Sequence, residues 1–182
     1  MTEIAVPRWA DWAAHAVPLV VLPSGLWRIA LGLGVPMGMS GSMAATYEAP
    51  SWTLTPYVFA LTLVGEFFAF LTLGLVRPWG EVFPAWMPWI GGWRVPVTAA
   101  VGAALTGAAL VILISVQFGT GWNELFGSPE APQGFAKALM IACYAPFVLW
   151  GPLLLAVTAH YAWRRSSAGL APSQASSRSH SA

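Results

Sequence analysis

Charge is what this chain has least of. Lys and Arg together number eight and Asp and Glu seven in 182 residues, or 8% charged where soluble domains carry about 25%. A chain this poor in charge and 57% hydrophobic could not cover a soluble fold with a wetted surface. The net charge of +1 and the absence of any basic run exclude a nucleic-acid partner. One cysteine, Cys143, excludes an internal disulfide and a thiolate metal cluster, and its apolar context suits a buried, inert thiol. There is no HxxxH or HExxH pair, no nucleotide-binding glycine loop, no calcium loop and no G-x-S-x-G elbow around Ser24. No catalytic residue, cofactor or metal is therefore expected. The Ser24 hydroxyl is expected to cap a kinked turn or bond a carbonyl freed by proline.

What the chain has is long apolar runs, with a mean hydropathy of +0.66. About 20 apolar residues cross the hydrocarbon at 1.5 Å each, and four stretches qualify, near 13–38, 56–76, 97–118 and 137–163. The expectation is an all-α bundle of four transmembrane helices, one domain over 1–165, with 166–182 a small, polar, disordered tail. A cleaved leader is the rival for the N-terminus, with Ser-Met-Ala-Ala ending at Ala45 as its cleavage site. Retention as a membrane helix is preferred, because Glu3 and Asp11 offset Arg8 and Arg28 interrupts the apolar run.

Several details refine these spans. Pro18 and Pro23 each remove a backbone donor from the first and should kink it. Ala30, Gly34 and Gly38 recur every fourth residue, a flat strip for a neighbouring helix. The third span is richest in small residues, with Ala99, Ala103 and Gly107 on one face and Ala100, Ala104 and Ala108 on the next, and is placed at the centre. Ala-Pro-Phe (145–147) and Trp-Gly-Pro (150–152) should bend the fourth. The 39–55 and 119–136 segments read as loops. The 77–96 loop holds Trp79, Trp86, Trp89, Trp93 and Pro78, Pro84, Pro88, Pro96, and should lie in the interface with Arg77 and Arg94 toward the phosphates. Most of the 11 Trp sit near such boundaries, so anchoring explains them better than a pigment site. Arg8, Arg77, Arg94, Arg164, Arg165 and Arg178 fall on one side of this arrangement and only Lys137 on the other. That places both termini in the cytoplasm.

The segments Leu-Pro-Ser-Gly-Leu-Trp-Arg (22–28), Arg-Pro-Trp-Gly…Pro-Ala-Trp…Gly-Gly-Trp-Arg-Val-Pro (77–96), Tyr-Ala-Pro…Leu-Trp-Gly-Pro-Leu-Leu (144–154) and Tyr-Ala-Trp-Arg-Arg (161–165) form a further pattern. Together they resemble an uncharacterised family of small actinobacterial integral membrane proteins. The resemblance covers most of the chain up to Arg165. It implies four helices and a bacterial inner membrane, and brings no activity with it.

Two constellations could carry chemistry. Glu66 sits in the middle of the second span and Arg28 deep in the first; each charge costs roughly 2.5–3.5 kcal/mol at such depth and calls for a partner. With the first span's hydrocarbon part at 16–36, the two lie about 12 and 15 Å below one boundary, within reach of an arginine side chain. A structural ion pair is the expectation, with a substrate or proton site as the alternative. Asp11 and His15, one helical turn apart, and His160 on the last helix form the second, near the expected cytoplasmic face. Singly satisfied interfacial histidines are expected there, against an open metal site. The leading function is a non-enzymatic accessory or interaction subunit of a bacterial inner membrane. Its partners would be the lipid bilayer and either a second copy or another membrane protein. The alternative is a small transporter or ligand binder built on Arg28 and Glu66, discriminated by a polar cavity around Glu66. A lipid-modifying enzyme at the cytoplasmic face ranks third.

Overall fold

The structure, a computed structural model, describes residues 6–82 and 92–170. Its regular elements are helical: α1 Arg8–Gly32, short α2 Gly41–Thr46, α3 Leu54–Leu71, α4 Val97–Thr120, short α5 Trp122–Phe126, α6 Gly134–Tyr144 and α7 Trp150–Leu170. Tight 3-10 turns extend α3 over Thr72–Leu75 and Pro78–Gly80, and another joins α6 to α7 over Ala145–Leu149. Four stretches are long and apolar enough to cross a membrane: Arg8–Gly32, Leu54–Leu75, Val97–Thr120 and Gly134–Ser167. The fold is the expected all-α, four-span arrangement. Among the described residues, extended backbone pairs only at one antiparallel bridge, Val82 with Arg94.

The order of packing differs from expectation. α1 is the central helix, with α3 along one side and α7, α6 and the Ala145–Leu149 turn along the other. α4 packs on α7 and that turn. It is the least covered span, with 11% of its most apolar stretch buried against 33% for each of the first two spans and 28% for the fourth. The central place given to α4 is thus corrected to α1. The reason lies in which small face is used. Ala100, Ala104 and Ala108 pack into the core cluster, while Ala99 and Ala103 point outward.

α1 earns its place by its pattern. Ala10, Ala14, Val17, Val21 and Ser24 are buried at alternating steps of four and three, and the half-buried Arg28 and buried Leu31 continue the series. That spacing keeps one stripe facing a neighbour along the whole helix. From α7 come Trp150, Leu154, Val157 and Tyr161, spaced the same way. α3 runs antiparallel on the adjacent face. A Cβ on Gly25 would lie 2.9 Å from Thr62 Cγ2, and one on Gly32 would overlap Val58 Cγ2. At the opposite end Arg77 meets Asp11. In the same way a Cβ on Gly151 of α7 would overlap Ile112 of α4.

Several boundaries move. α1 ends at Gly32, six residues before the expected limit of 38, because Gly34 and Gly38 take φ of +83° and +77°. Glycine alone enters that region freely, and the chain leaves the helix there. The Ala30/Gly34/Gly38 strip therefore does not exist as a helical face; Gly25 and Gly32 serve instead. Pro18 and Pro23 lie inside a continuous α1. In the fourth span the α-helical ladder gives way to 3-10 geometry over Ala145–Leu149, where the sequence called for a bend. Two expected loops contain the short helices α2 and α5. α7 runs on to Leu170, five residues into the expected tail, as Ser166 and Ser167 hydroxyls donate to the carbonyls of Ala162 and Trp163. Residues 171–182, with Trp86, Trp89, Pro84 and Pro88 of the interfacial loop, lie outside the described residues.

Candidate functional site

Arg28 occupies the one position in the buried stripe of α1 that is not apolar or small, between Ser24 and Leu31. Its Nε donates to the Thr62 hydroxyl of α3 at 3.3 Å. Its guanidinium carbon lies 5.9 Å from the centre of the Tyr144 ring at the end of α6. Tyr144 in turn stacks on Phe118 of α4 at 5.4 Å and meets Trp27 edge-on at 5.6 Å. The arginine is thus held between a hydroxyl on one side and an aromatic group on the other.

The expected ion pair with Glu66 is not formed. Glu66 Oε1 is buried and accepts no hydrogen bond from the protein, and it sits beside Gly25, 3.5 Å from where a Cβ there would be. The cause is register. Helix α3 presents Thr62 to Arg28, one turn before Glu66, and one turn is about 6 Å along the axis. The guanidinium meets the hydroxyl first, and the carboxylate faces a glycine instead of a donor. Opposite charges on adjacent helices still attract through space. The relation is a through-space one, without a shared hydrogen bond.

Two pockets lie toward this half of the bundle. One, of about 240 Å³, is formed by the 31–49 segment from Leu31 through Met37 and Tyr47 to Ala49. The other, of about 110 Å³, is lined by Arg28 with Ser115 and Phe118 of α4, Tyr144 and Phe147. Glu66 lines neither. The polar, ligand-sized cavity that a Glu66-centred transporter needs is not among them.

At the opposite end the second constellation is partly assembled. His15 Nδ1 donates to the Asp11 carbonyl at 2.7 Å, with the Asp11 carboxylate at 3.7 Å. Arg77, which can only donate, reaches His15 Nε2 at 3.3 Å and Asp11 Oδ1 at 3.5 Å. Arg77, expected to face phosphates, is thus a protein contact as well. His160 does not join this group. It packs edge-on to Trp9 at 5.4 Å and against Trp163 at 5.9 Å. Trp9 and Asp11 are two residues apart on α1 and so face different ways, which carries His160 away from His15. Among the described residues no three His, Cys, Asp or Glu side chains are placed to hold a metal ion.

Sequence reading missed two polar clusters. Glu81 accepts from Arg164 at 2.7 Å and from Arg165 at 3.0 Å, tying the turn after α3 to α7. At the other end Glu130 accepts from the Ser42 hydroxyl at 2.6 Å and the Met43 amide at 3.2 Å, and its backbone carbonyl takes the Ser40 amide at 2.8 Å. The Ser42 hydroxyl, then the Met43 amide, hold the Glu130 carboxyl below the usual range. Gly41 must be glycine, with φ at +55° and Glu130 Oε1 where a Cβ would stand. Ser24 bonds the carbonyl of Val21 at 2.8 Å, not a carbonyl that Pro18 or Pro23 frees. No protein-family model, curated protein or solved structure matches the chain.

Proposed function

We propose that this chain is a non-enzymatic subunit of a bacterial inner membrane, docking through the outer face of α4 on a transmembrane helix of a partner protein. One contrast carries the reading. The outward side of α3 is built of large groups, with Leu63, Val64, Phe67, Phe68 and Phe70 all more than half exposed. The outward side of α4 over its first half is mostly small, with Ala99, Gly102, Ala103 and Thr106 exposed and Leu105 the one large exposed group among them. Lipid requires no such flat surface, whereas a second helix approaches closely on small residues. That Glu66 lines neither of the two pockets described supports this reading over a transporter.

Orientation follows from charge. Arg8, Arg77, Arg94, Arg164 and Arg165 gather at the end that holds both helical termini, and Lys137 lies near the other. The basic end is the cytoplasmic one on the positive-inside bias. The test is a photo-crosslinking amino acid at position 103 or 63 in cells. Position 103 is expected to give one discrete protein adduct and position 63 lipid adducts alone. Lipid adducts alone at both would overturn the reading, and an adduct of twice the chain's own mass would make the partner a second copy.

A further inference from the structure

We propose that the pocket between α1, α4 and the α6–α7 turn binds the carboxylate head of a single-chain amphiphile such as a fatty acid, with Arg28 as the anion-binding group. Arginine stays protonated in any surroundings, and its planar fork matches a carboxylate with two parallel donors. Thr62 engages Nε and Tyr144 flanks the guanidinium, but no carboxylate forms a salt bridge with it, and Glu66 Oε1 accepts no hydrogen bond. A permanent charge in an apolar span without a contacting counter-ion is the group that an anionic ligand would satisfy.

The walls decide what kind of anion. Apart from Arg28, Ser115 and the Tyr144 hydroxyl, the lining is hydrocarbon and aromatic: Phe118, Phe147, Ile114 and Val148. Ile114 and Val148 are each 55% exposed on the outer side of the bundle, so the mouth opens where acyl chains lie. The volume of about 110 Å³ equals roughly three to four waters at their liquid share of about 30 Å³. That accommodates a carboxylate and the first few methylenes, with the rest of the chain lying along Ile114 and Val148. A phospholipid headgroup is too large. A phosphate monoester carries more charge than one arginine balances. The Ser115 hydroxyl bonds its own helix at the Val111 carbonyl, 2.8 Å away, and shapes the floor. This inference stands apart from the α4 docking face, which lies nearer the basic end.

The test uses the full chain in phosphatidylcholine nanodiscs with a trace of palmitate bearing a diazirine, labelled sites being read by mass spectrometry. Labelling is expected on the 114–118 and 147–148 segments, suppressed by excess palmitate but not by hexadecanol or acetate. Arg28→Gln should lower it at least tenfold, and Arg28→Lys by less. Ser115→Phe, which fills the pocket and leaves the charge, should abolish it without lowering the melting temperature, and it decides the matter if Arg28→Gln does not fold. Unchanged labelling in Ser115→Phe, or competition by hexadecanol equal to that by palmitate, overturns the site. Competition by acetate or inorganic phosphate at the same concentration overturns the amphiphile and leaves a small-anion site.

Discussion

Replacing Gly25 by alanine probes the register on which the whole α1–α3 pairing depends. Mid-helix, alanine is better than glycine by about 1 kcal/mol, so an unopposed substitution would stabilise α1. Here the new methyl would stand 2.9 Å from Thr62 Cγ2, closer than real methyl contacts allow. Overpacking of this kind costs about 1–3 kcal/mol, giving a net loss of up to about 2 kcal/mol. Thr62→Ser removes that Cγ2 and keeps the hydroxyl that receives Arg28 Nε. Alone it should cost about 1 kcal/mol for one buried methyl. In the double variant the clash is absent, so the two losses should fail to add by about 1–3 kcal/mol, the clash term itself, in the favourable direction. Unfolding of the four proteins in mixed micelles, titrated with a denaturing detergent, measures this cycle. Strictly additive losses would show that Gly25 and Thr62 do not face each other, and the register would be wrong.

Other outcomes follow from particular contacts. Ala108→Leu, at a residue with no exposure, should cost at least about 1–3 kcal/mol, whereas Ala103→Leu should stay within about 0.5 kcal/mol for the isolated chain, read by thermal melts in detergent. Glu130 has a lowered carboxyl pKa in the fold. Its stabilisation is therefore complete above the ordinary value of 4.5 and lost as pH falls through the lower folded value. Unfolding titrations below pH 5 should show this loss, and Glu130→Gln should remove that part of the slope. For orientation, a membrane-impermeant thiol reagent on intact cells should label cysteines at positions 42 and 127 but not 80, with Cys143 replaced beforehand. Labelling at 80 alone would invert the orientation.

Span number and helix type were legible because apolar length is a one-dimensional signal, and bilayer thickness sets its scale. Which face of each helix would be used was not. The two alanine faces of α4 are alike in composition, and only the partner α7 selects Ala100, Ala104 and Ala108 over Ala99 and Ala103. The centrality of α1 was available from its four-three spacing, in which Arg28 completes the stripe from Ala10 to Leu31. The Gly34 and Gly38 repeat was misleading because periodicity says nothing about φ, and Pro36 between them was the signal that the helix had ended. Arg28 and Glu66 were identified as the buried charges, but their contact depended on a single turn of register. Composition cannot fix that quantity. Glu81 and Glu130 sit in loops, where the partner of a carboxylate is set by the fold, and nothing local announced Arg164 or Ser42.

The docking face is tested most directly by oxygen accessibility of a spin label at position 103. In nanodiscs cut from native membranes, where the partner is retained, the label at 103 should be shielded from oxygen while one at 63 is fully accessible. In the isolated chain in detergent both should be accessible, since the face is uncovered within a single copy. Equal and full accessibility at 103 and 63 in the native-membrane discs would show that α4 faces lipid, and the account of this chain as a docking subunit would be contradicted.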